Sequence, residues 1–339
     1  MKNRPITIKD IARELNISPS TVSRALTDHP KISAKTKLAV NKLAKKLHYK
    51  PNAVALSLRN KKTNTIGLVI PGIVHHFFSS VISGIEDYAN DKHFNVMICQ
   101  SNESYEKEIA GVQTLIDSRV DGLIVSMSKK TNNYEHFKSI AEYGLPLVFF
   151  DRVCDEIETD RVIVDDMKGA FEAVEYLISA GCKRIAHLCG PEGLLISQNR
   201  LKGYLQALEH HNIPRDNDLI IDCDTYEKAL ECTGNLLSME NPPDGIFAVN
   251  DLTAIGAMKV IKSKGLKIPK DISIIGFTNG MVSSFVEPSL TSVNQKGYEM
   301  GKIAAELLIN RINNNEDNYA PITKVIKTNL VVRNSTKKI

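Results

Sequence analysis

The chain has 339 residues, 42% of them hydrophobic, which is enough for two or three domains with substantial cores. Its net charge of +4 hides a division: residues 1–62 carry 15 Lys/Arg against 3 Asp/Glu, and the remainder 28 against 36. A basic head on an acidic body is the electrostatic footprint of a nucleic-acid-binding domain joined to something else, and it argues against a plain solute carrier. No apolar run is long enough for a signal leader or a membrane span, so a cytoplasmic protein is expected. The six cysteines (Cys99, Cys154, Cys182, Cys189, Cys223, Cys232) are scattered, with no C-x-x-C and no His at metal spacing. That pattern suits free thiols in a reducing compartment and neither zinc nor a disulfide framework.

The first predicted elements are two short helices within Thr7–Leu26. Thr7 is a good N-cap, and Asp10 stands three residues on, as in a capping box. Ile8, Ile11, Ala12 and Leu15 form one apolar stripe. The stripe ends at Asn16, a residue that tolerates turn dihedrals. Ser18 then offers a second cap, with Pro19 at the first helical position, where its missing N–H matters little. Val22, Ala25 and Leu26 form the inward face of this helix. Ser20, Thr21, Ser23 and Arg24 form the outward face: short hydrogen-bonding groups and one planar, bidentate donor. That composition suits a helix-turn-helix whose second helix enters the DNA major groove. Ser33 caps a third helix, expected to run to about Leu47 and to turn Ala39, Leu43 and Leu47 inward, with Val40 and Ala44 beside them.

Lys50-Pro51 breaks the pattern. The next segment, NAVALSLRNKKTN, has Asn52 as a cap and Leu56 and Leu58 as apolar residues without an evident core. It is either a linker or a hinge that becomes helical only against a partner, since a helix this short is marginal alone.

From Thr65 the texture changes. Nine apolar runs (Ile66–Ile70, Phe94–Cys99, Gly122–Met127, Pro146–Asp151, Arg161–Asp165, Arg184–Cys189, Leu219–Asp222, Gly245–Val249, Ile272–Phe277) alternate with amphipathic helical stretches (Phe77–Lys92, Ser104–Ser118, Asn133–Tyr143, Met167–Ala180, Asn199–His210, Tyr226–Met239, Leu252–Ser263). Continuous apolar strands alternating with helices predict α/β architecture with parallel sheets covered on both faces. Nine strands are many for one sheet, so two doubly wound lobes are expected. Ligands of such sheets bind beyond the carboxyl ends of the strands. That places candidate site loops at Pro71–Phe78, Asp151–Arg152, Gly190–Arg200, Asn250–Asp251 and Thr278–Asn279. None holds G-x-S-x-G, a Walker A or G-x-G-x-x-G, and no enzyme activity or cofactor is expected.

With these segments in order, the chain closely resembles the LacI/GalR family of bacterial transcription regulators. TIKDIARELNISPSTVSRAL, LHYKPNAVALSLR and TNTIGLVIP carry the resemblance, followed by VDGLIV, VIVDD, RLKGY, AVNDLTAIGAMK, DISIIGF and LTSVNQ. It implies a helix-turn-helix headpiece over residues 1–50, a hinge helix over 51–62, and a core over 63–339 like the type I periplasmic binding proteins. The core's lobes, joined by three crossovers, would take about 63–164 with 294–321, and about 165–293 with 322–339. By position, Pro19, Ser20 and Arg24 would read bases. Thr7, Thr21, Ser23 and Asn52 would face the DNA backbone, Leu58 would wedge into the minor groove, and Ala55 would lie on the same hinge surface.

In the core, Phe78, Asp151, Arg200, Asn250 and Gln295 match effector-contacting positions, with Arg152 and Thr278 beside them. Many sugar-binding members carry Asp where this chain has Thr278. The cleft is therefore expected to leave Arg200 short of a negative partner and to favour an acidic sugar derivative over a neutral sugar, unless Asp165 or Asp166 pairs with Arg200. The expected partners are a palindromic double-stranded operator, a small effector and a second copy of the chain, because no heptad tail follows the last strand to build a tetramer.

Overall fold

The computed structural model describes residues 6–49, 62–314 and 320–339. The chain divides into two compact units, Met1–Thr63 and Asn64–Ile339.

In the first unit, α1 (Ile8–Glu14), α2 (Pro19–Leu26) and α3 (Ala34–Lys46) surround a core of Ile11, Ala12, Val22, Ala25, Val40, Leu43 and Ala44. The caps form where the residue types place them. The Asp10 carboxylate accepts from both the Thr7 amide (3.0 Å) and the Thr7 hydroxyl (2.7 Å). Ser18 and Ser33 accept from the amides of Thr21 and Thr36. Asn16 takes the left-handed conformation, φ 52°, that lets α1 stop and α2 start. One expectation fails: Ala39 is exposed. The inward stripe of α3 is Val40, Leu43 and Ala44, with Leu47 partly buried. That i, i+3, i+4, i+7 set stays on one face, whereas the i+4 steps of 39, 43 and 47 drift around the helix.

The second unit holds two six-stranded sheets among the described residues. The first contains β1 (Thr65–Ile70), β2 (Asn95–Gln100), β3 (Gly122–Val125), β4 (Leu147–Phe150), β5 (Asp160–Val164) and β11 (Thr323–Ile326), in the order β11-β5-β4-β3-β1-β2. The second contains β6 (Ile185–Cys189), β7 (Ile220–Asp222), β8 (Gly245–Ala248), β9 (Ser273–Thr278), β10 (Thr291–Asn294) and β12 (Asn329–Val331), in the order β12-β10-β9-β8-β6-β7. Every pairing is parallel except β10 with β12. Central strands such as β3, β4 and β8 are buried at every residue, which is why they read as unbroken apolar runs.

Helices α4 (His76–Asp91), α5 (Tyr105–Asp117) and α6 (Glu135–Glu142) connect the first sheet. Helices α7 (Asp166–Ser179), α8 (Leu195–His210), α9 (Tyr226–Leu236), α10 (Asp251–Ser263) and the one-turn α11 (Val282–Phe285) belong to the second, and α12 (Gly297–Asn313) returns to the first. Two glycines let α4 and α12 approach closely: a Cβ on Gly84 of α4 would strike the Tyr298 carbonyl of α12, and one on Gly301 would strike the Val81 carbonyl.

Among the described residues the chain passes between the sheets three times, at Val164–Asp166, Asn294–Gly297 and Ile326–Asn329. This corrects the expected boundary near 321/322. The segment TKVIKTNLVV, which that boundary places in one lobe, is divided between both. It breaks at Lys327-Thr328, with β11 pairing β5 and β12 pairing β10. The segment is exposed at the first three residues of β11 and the first of β12 and so carries no continuous apolar signal. Helix α12 and strand β10 were also missing from the predicted elements.

Candidate nucleic-acid interface and ligand cleft

On α2, Pro19, Ser20 and Arg24 are exposed, and Thr21 and Ser23 are half-buried at its edge. Ser20 and Arg24 are one turn apart, so they stand on the same outer stripe. The Ser18 hydroxyl lies 2.8 Å from both the Ser20 and Thr21 hydroxyls, fixing the rotamers at the helix start. Thr7 is exposed but spends its hydroxyl on Asp10. Asn52, Ala55 and Leu58 lie outside the described residues.

In the second unit the candidate residues converge where the two sheets meet. Asp151 follows β4, Asn250 follows β8, Thr278 ends β9 and Gln295 follows β10, all at carboxyl ends of strands. Gln295 and Asp166 also sit on two of the three crossovers, so the candidate site lies where the chain crosses between the lobes. Thr278 donates to Gln295 Oε1 (2.8 Å), and Gln295 Nε2 donates to Asp151 Oδ1 (3.3 Å), a polar chain from one lobe to the other. Thr278 and Asn279 adopt φ of 127° and 58°, which turns the Thr278 hydroxyl back onto that chain.

Arg200, 3% exposed, is fully engaged. Its Nε and Nη2 reach Asp166 Oδ1 at 2.8 and 2.7 Å, its Nη1 donates to the Val249 carbonyl at 2.6 Å, and its Cζ lies 3.7 Å from the Phe277 ring centroid. Arg152 is paired through Nη1, 2.9 and 2.8 Å from the two Glu103 oxygens, while its buried Nε has no hydrogen-bond partner among the described residues. The unpartnered guanidinium that motivated an acidic ligand is therefore absent here, and the alternative pairing, through Asp166, is the one observed. Phe78 is 5% exposed, packed edge-on against Phe77 and Phe150 with Arg152 above it, so it borders the cleft and is not an open stacking platform. Asn250 caps α10 through Thr253 and donates to the Asp224 carbonyl (2.8 Å).

Four residues absent from the predicted set complete the cleft rim. Glu103 follows β2 with φ 57° and accepts from Arg152 and from the Lys129 amide. Lys129, beyond β3, reaches across to Asp224, beyond β7, at 2.9 Å. Lys228 approaches the other Asp224 oxygen at 2.8 Å. The strand-end rule would have found all three loops had it been applied to every strand. A further cavity of about 190 Å³ opens between the lobes alongside, bordered by Met127, Tyr134, Arg152, Leu194 and Gln198. Away from the cleft, Glu175 of α7 and His210 and His211 at the end of α8 bring three metal-ligating atoms within 4.8 Å of one another, a juxtaposition made by helix packing that sequence spacing does not show.

Burial governs the titration of this region. It pushes Asp166 up to about 6 against the opposing pull of Arg200, and raises Asp151 against Arg152 and Arg200. Fully buried His187 on β6, stacked between Tyr204 and Phe247, is held down to about 4. An imidazole depressed from 6.5 to about 4 binds fewer protons folded than unfolded, so its contribution is lost as pH falls through 6.5 toward 4. Asp166 has the opposite sign over an overlapping window: its folded value lies above 3.8, so acid favours the fold as pH falls through about 6. In His187→Gln only the first contribution disappears. The stability of the wild type relative to this variant is expected to fall by about 2 kcal/mol between pH 7 and pH 5, read from urea midpoints. A pH-independent difference would show that His187 titrates freely.

A basic helix-turn-helix unit joined to a two-lobed, hinged ligand-binding core defines a ligand-responsive DNA-binding regulator. Comparison with known proteins agrees. Residues 7–52 match the lacI family of bacterial regulatory proteins, and residues 174–336 match a periplasmic binding protein-like domain. Catabolite control protein A of Priestia megaterium is 34% identical over 310 residues, covering 91% of this chain and 93% of that protein. The ribose operon repressor of Halalkalibacterium halodurans is 34% identical, covering 98% and 97%. The lac repressor dimer bound to operator and the anti-inducer ONPF superposes with a TM-score of 0.87 at 25% identity, covering 99% of this chain and all of that one. The chain belongs to the LacI family; it is a DNA-binding transcriptional regulator and not an enzyme. No helix among the described residues is long and apolar enough to cross a membrane.

Proposed function

We propose that the protein is a cytoplasmic, homodimeric repressor that reads a palindromic operator through Pro19, Ser20 and Arg24. Its operator affinity is set by a small neutral, hydroxyl-rich ligand, a sugar, bound among Asp151, Arg200, Asn250, Thr278 and Gln295 with Phe78 and Arg152 at its border. Thr7, Thr21, Ser23 and Asn52 hold the DNA backbone, and Ala55 and Leu58 engage the minor groove.

The observation that carries the ligand class is the pairing of both arginines. With Arg200 on Asp166 and Arg152 on Glu103, an anionic ligand gains no free guanidinium and must meet three neighbouring carboxylates. Sugar hydroxyls, by contrast, both donate and accept, which suits a cluster of carboxylate, amide and hydroxyl groups. The lac repressor's operator-bound dimer and the ribose operon repressor's name support the same reading by kinship. A two-fold dimer would place two α2 helices on the half-sites of one palindrome.

The test is a thermal-shift screen of matched pairs: ribose, glucose and cellobiose against gluconate, glucuronate and glucose 6-phosphate. A ligand at 100 times its dissociation constant adds about 2.7 kcal/mol of stability. The neutral members are expected to raise the melting temperature and the charged ones not to. A shift confined to the charged members would overturn the ligand class while leaving the regulator assignment intact.

A further inference from the structure

We propose that Cys223 and Cys232 form a reversible dithiol–disulfide pair whose oxidation state is transmitted to Asp224 on the rim of the cleft. The chemistry stands on the geometry alone; its regulatory meaning rests on the effector reading above. Cys223 follows the edge strand β7 and is fully buried, its amide donating to the Cys189 carbonyl at 2.8 Å. Cys232 lies on α9 and is half-buried, so one member of the pair is reachable from solvent. The two sulfurs are 2.7 Å apart in an S–H···S contact with nothing between them. A bond of about 2.05 Å needs only a small further approach.

The two thiols are unequal. Sharing a proton with Cys232, together with burial, pushes Cys223 far above its ordinary range, while the same contact holds Cys232 below its own. Exposure separates their roles: Cys232, half-buried, is the thiol an oxidant reaches first, and fully buried Cys223 is the resolving thiol.

The oxidant is a hydroperoxide. The Cys232 thiolate attacks the terminal peroxide oxygen and the O–O bond breaks. Cys232 becomes a sulfenic acid, and the departing hydroxide or alkoxide takes up a proton. Cys223 then attacks the sulfenic sulfur, its proton leaving with the displaced hydroxide as water. Two electrons pass from the two thiols to the peroxide. A dithiol donor reverses the change by thiol–disulfide exchange.

The pair is placed to matter because of the next residue. The Asp224 carboxylate holds Lys129 of the other lobe, and its carbonyl holds the Asn250 side chain. Drawing Cys223 toward α9 therefore acts directly on a strut between the lobes and on a cap within the cleft.

The full-length reduced protein is treated with hydrogen peroxide, its thiols are counted in denaturant, and it is digested with trypsin under non-reducing conditions. Cleavage after Lys228 separates the two cysteines, so the bond appears as peptide 216–228 linked to peptide 229–259. That linked pair, with two of the six thiols lost and recovered by dithiothreitol, is the expected result. It should be absent from both Cys223→Ser and Cys232→Ser. Hydrogen exchange of the oxidised protein should slow severalfold both in residues 223–236 and in the segment carrying Lys129. Oxidation of single thiols without the link, or links to other cysteines, would overturn the pair. Protection confined to α9 would overturn the transmission to the cleft. Neither readout uses a sugar, so a failed ligand screen is distinguishable from a failed thiol switch.

Discussion

Replacing Arg200 with methionine is expected to destabilise the core unit by about 3–5 kcal/mol, the range for a buried pair that loses one partner. The guanidinium is 3% exposed and lies against the Phe277 ring, with two contacts to Asp166 and one to the Val249 carbonyl. Methionine keeps much of the packing volume and removes all three polar contacts. Asp166 is then a carboxylate in a dry site with Asp151 close by, and burial already holds it near the point of protonation. It should take up a proton well above pH 6, so the loss should shrink on acidification. The sign follows from linkage: a carboxyl whose folded value is raised binds more protons in the native state, and stability then rises as pH falls through that value.

The double variant Arg200→Met with Asp166→Leu removes the stranded charge and should recover most of the stability, as replacing a whole buried pair by apolar residues often does. It should still fail to respond to the ligand. Urea unfolding of the three proteins at pH 7 and pH 5 checks this. A single variant within about 1 kcal/mol of wild type, the size of an exposed pair's contribution, would show that Asp166 and Arg200 do not depend on one another.

The second large effect belongs to Arg24. Arg24→Ala should weaken binding to the specific operator by about 1–3 kcal/mol per half-site and relax the preference at one base pair in each half. The residue is exposed on the outer stripe of α2, and α2 is held at its start by the Ser18 cap, so the substitution leaves the fold untouched. Binding to random DNA, which depends on phosphate contacts and falls steeply with salt, should change little. Anisotropy titrations on specific and scrambled duplexes at two salt concentrations separate the two roles. Equal losses on both duplexes would reassign Arg24 to the DNA backbone.

Much of this architecture was legible because local chemistry and tertiary structure agree. Thr7, Ser18 and Ser33 cap helices as their types dictate, and the strand-like runs from Ile66 to Phe277 fall on strands because central parallel strands are buried on both faces. The failures are of another kind. Ala39 reads as inward in the sequence but is exposed, because a small apolar residue gives a weak periodic signal. The break at Lys327-Thr328 is not legible in the sequence because edge strands with exposed residues look like loop. The partner of Arg200 was the largest open question, and sequence could not resolve it. Asp165 and Asp166 are adjacent, and only the start of α7 decides between them: Asp165 becomes the cap, accepting from the Lys168 amide, and Asp166, on the first turn, faces Arg200. Glu103, Lys129 and Asp224 escaped notice because isolated charges near loops are ordinarily solvated. It takes three strands ending at one cleft to make them neighbours.

The most direct test of the central claim is an operator titration with and without ligand. The fragment retained from the organism's own genomic DNA by the full-length protein serves as the duplex, and the strongest stabilising compound from the thermal screen serves as the ligand. The expected result is a change in operator affinity of tenfold or more, about 1.4 kcal/mol, that disappears in the Arg200→Met, Asp166→Leu double variant while its ligand-free DNA affinity persists. An operator affinity that the bound ligand leaves unchanged would contradict the account, because a ligand that does not distinguish the two states cannot shift the balance between them.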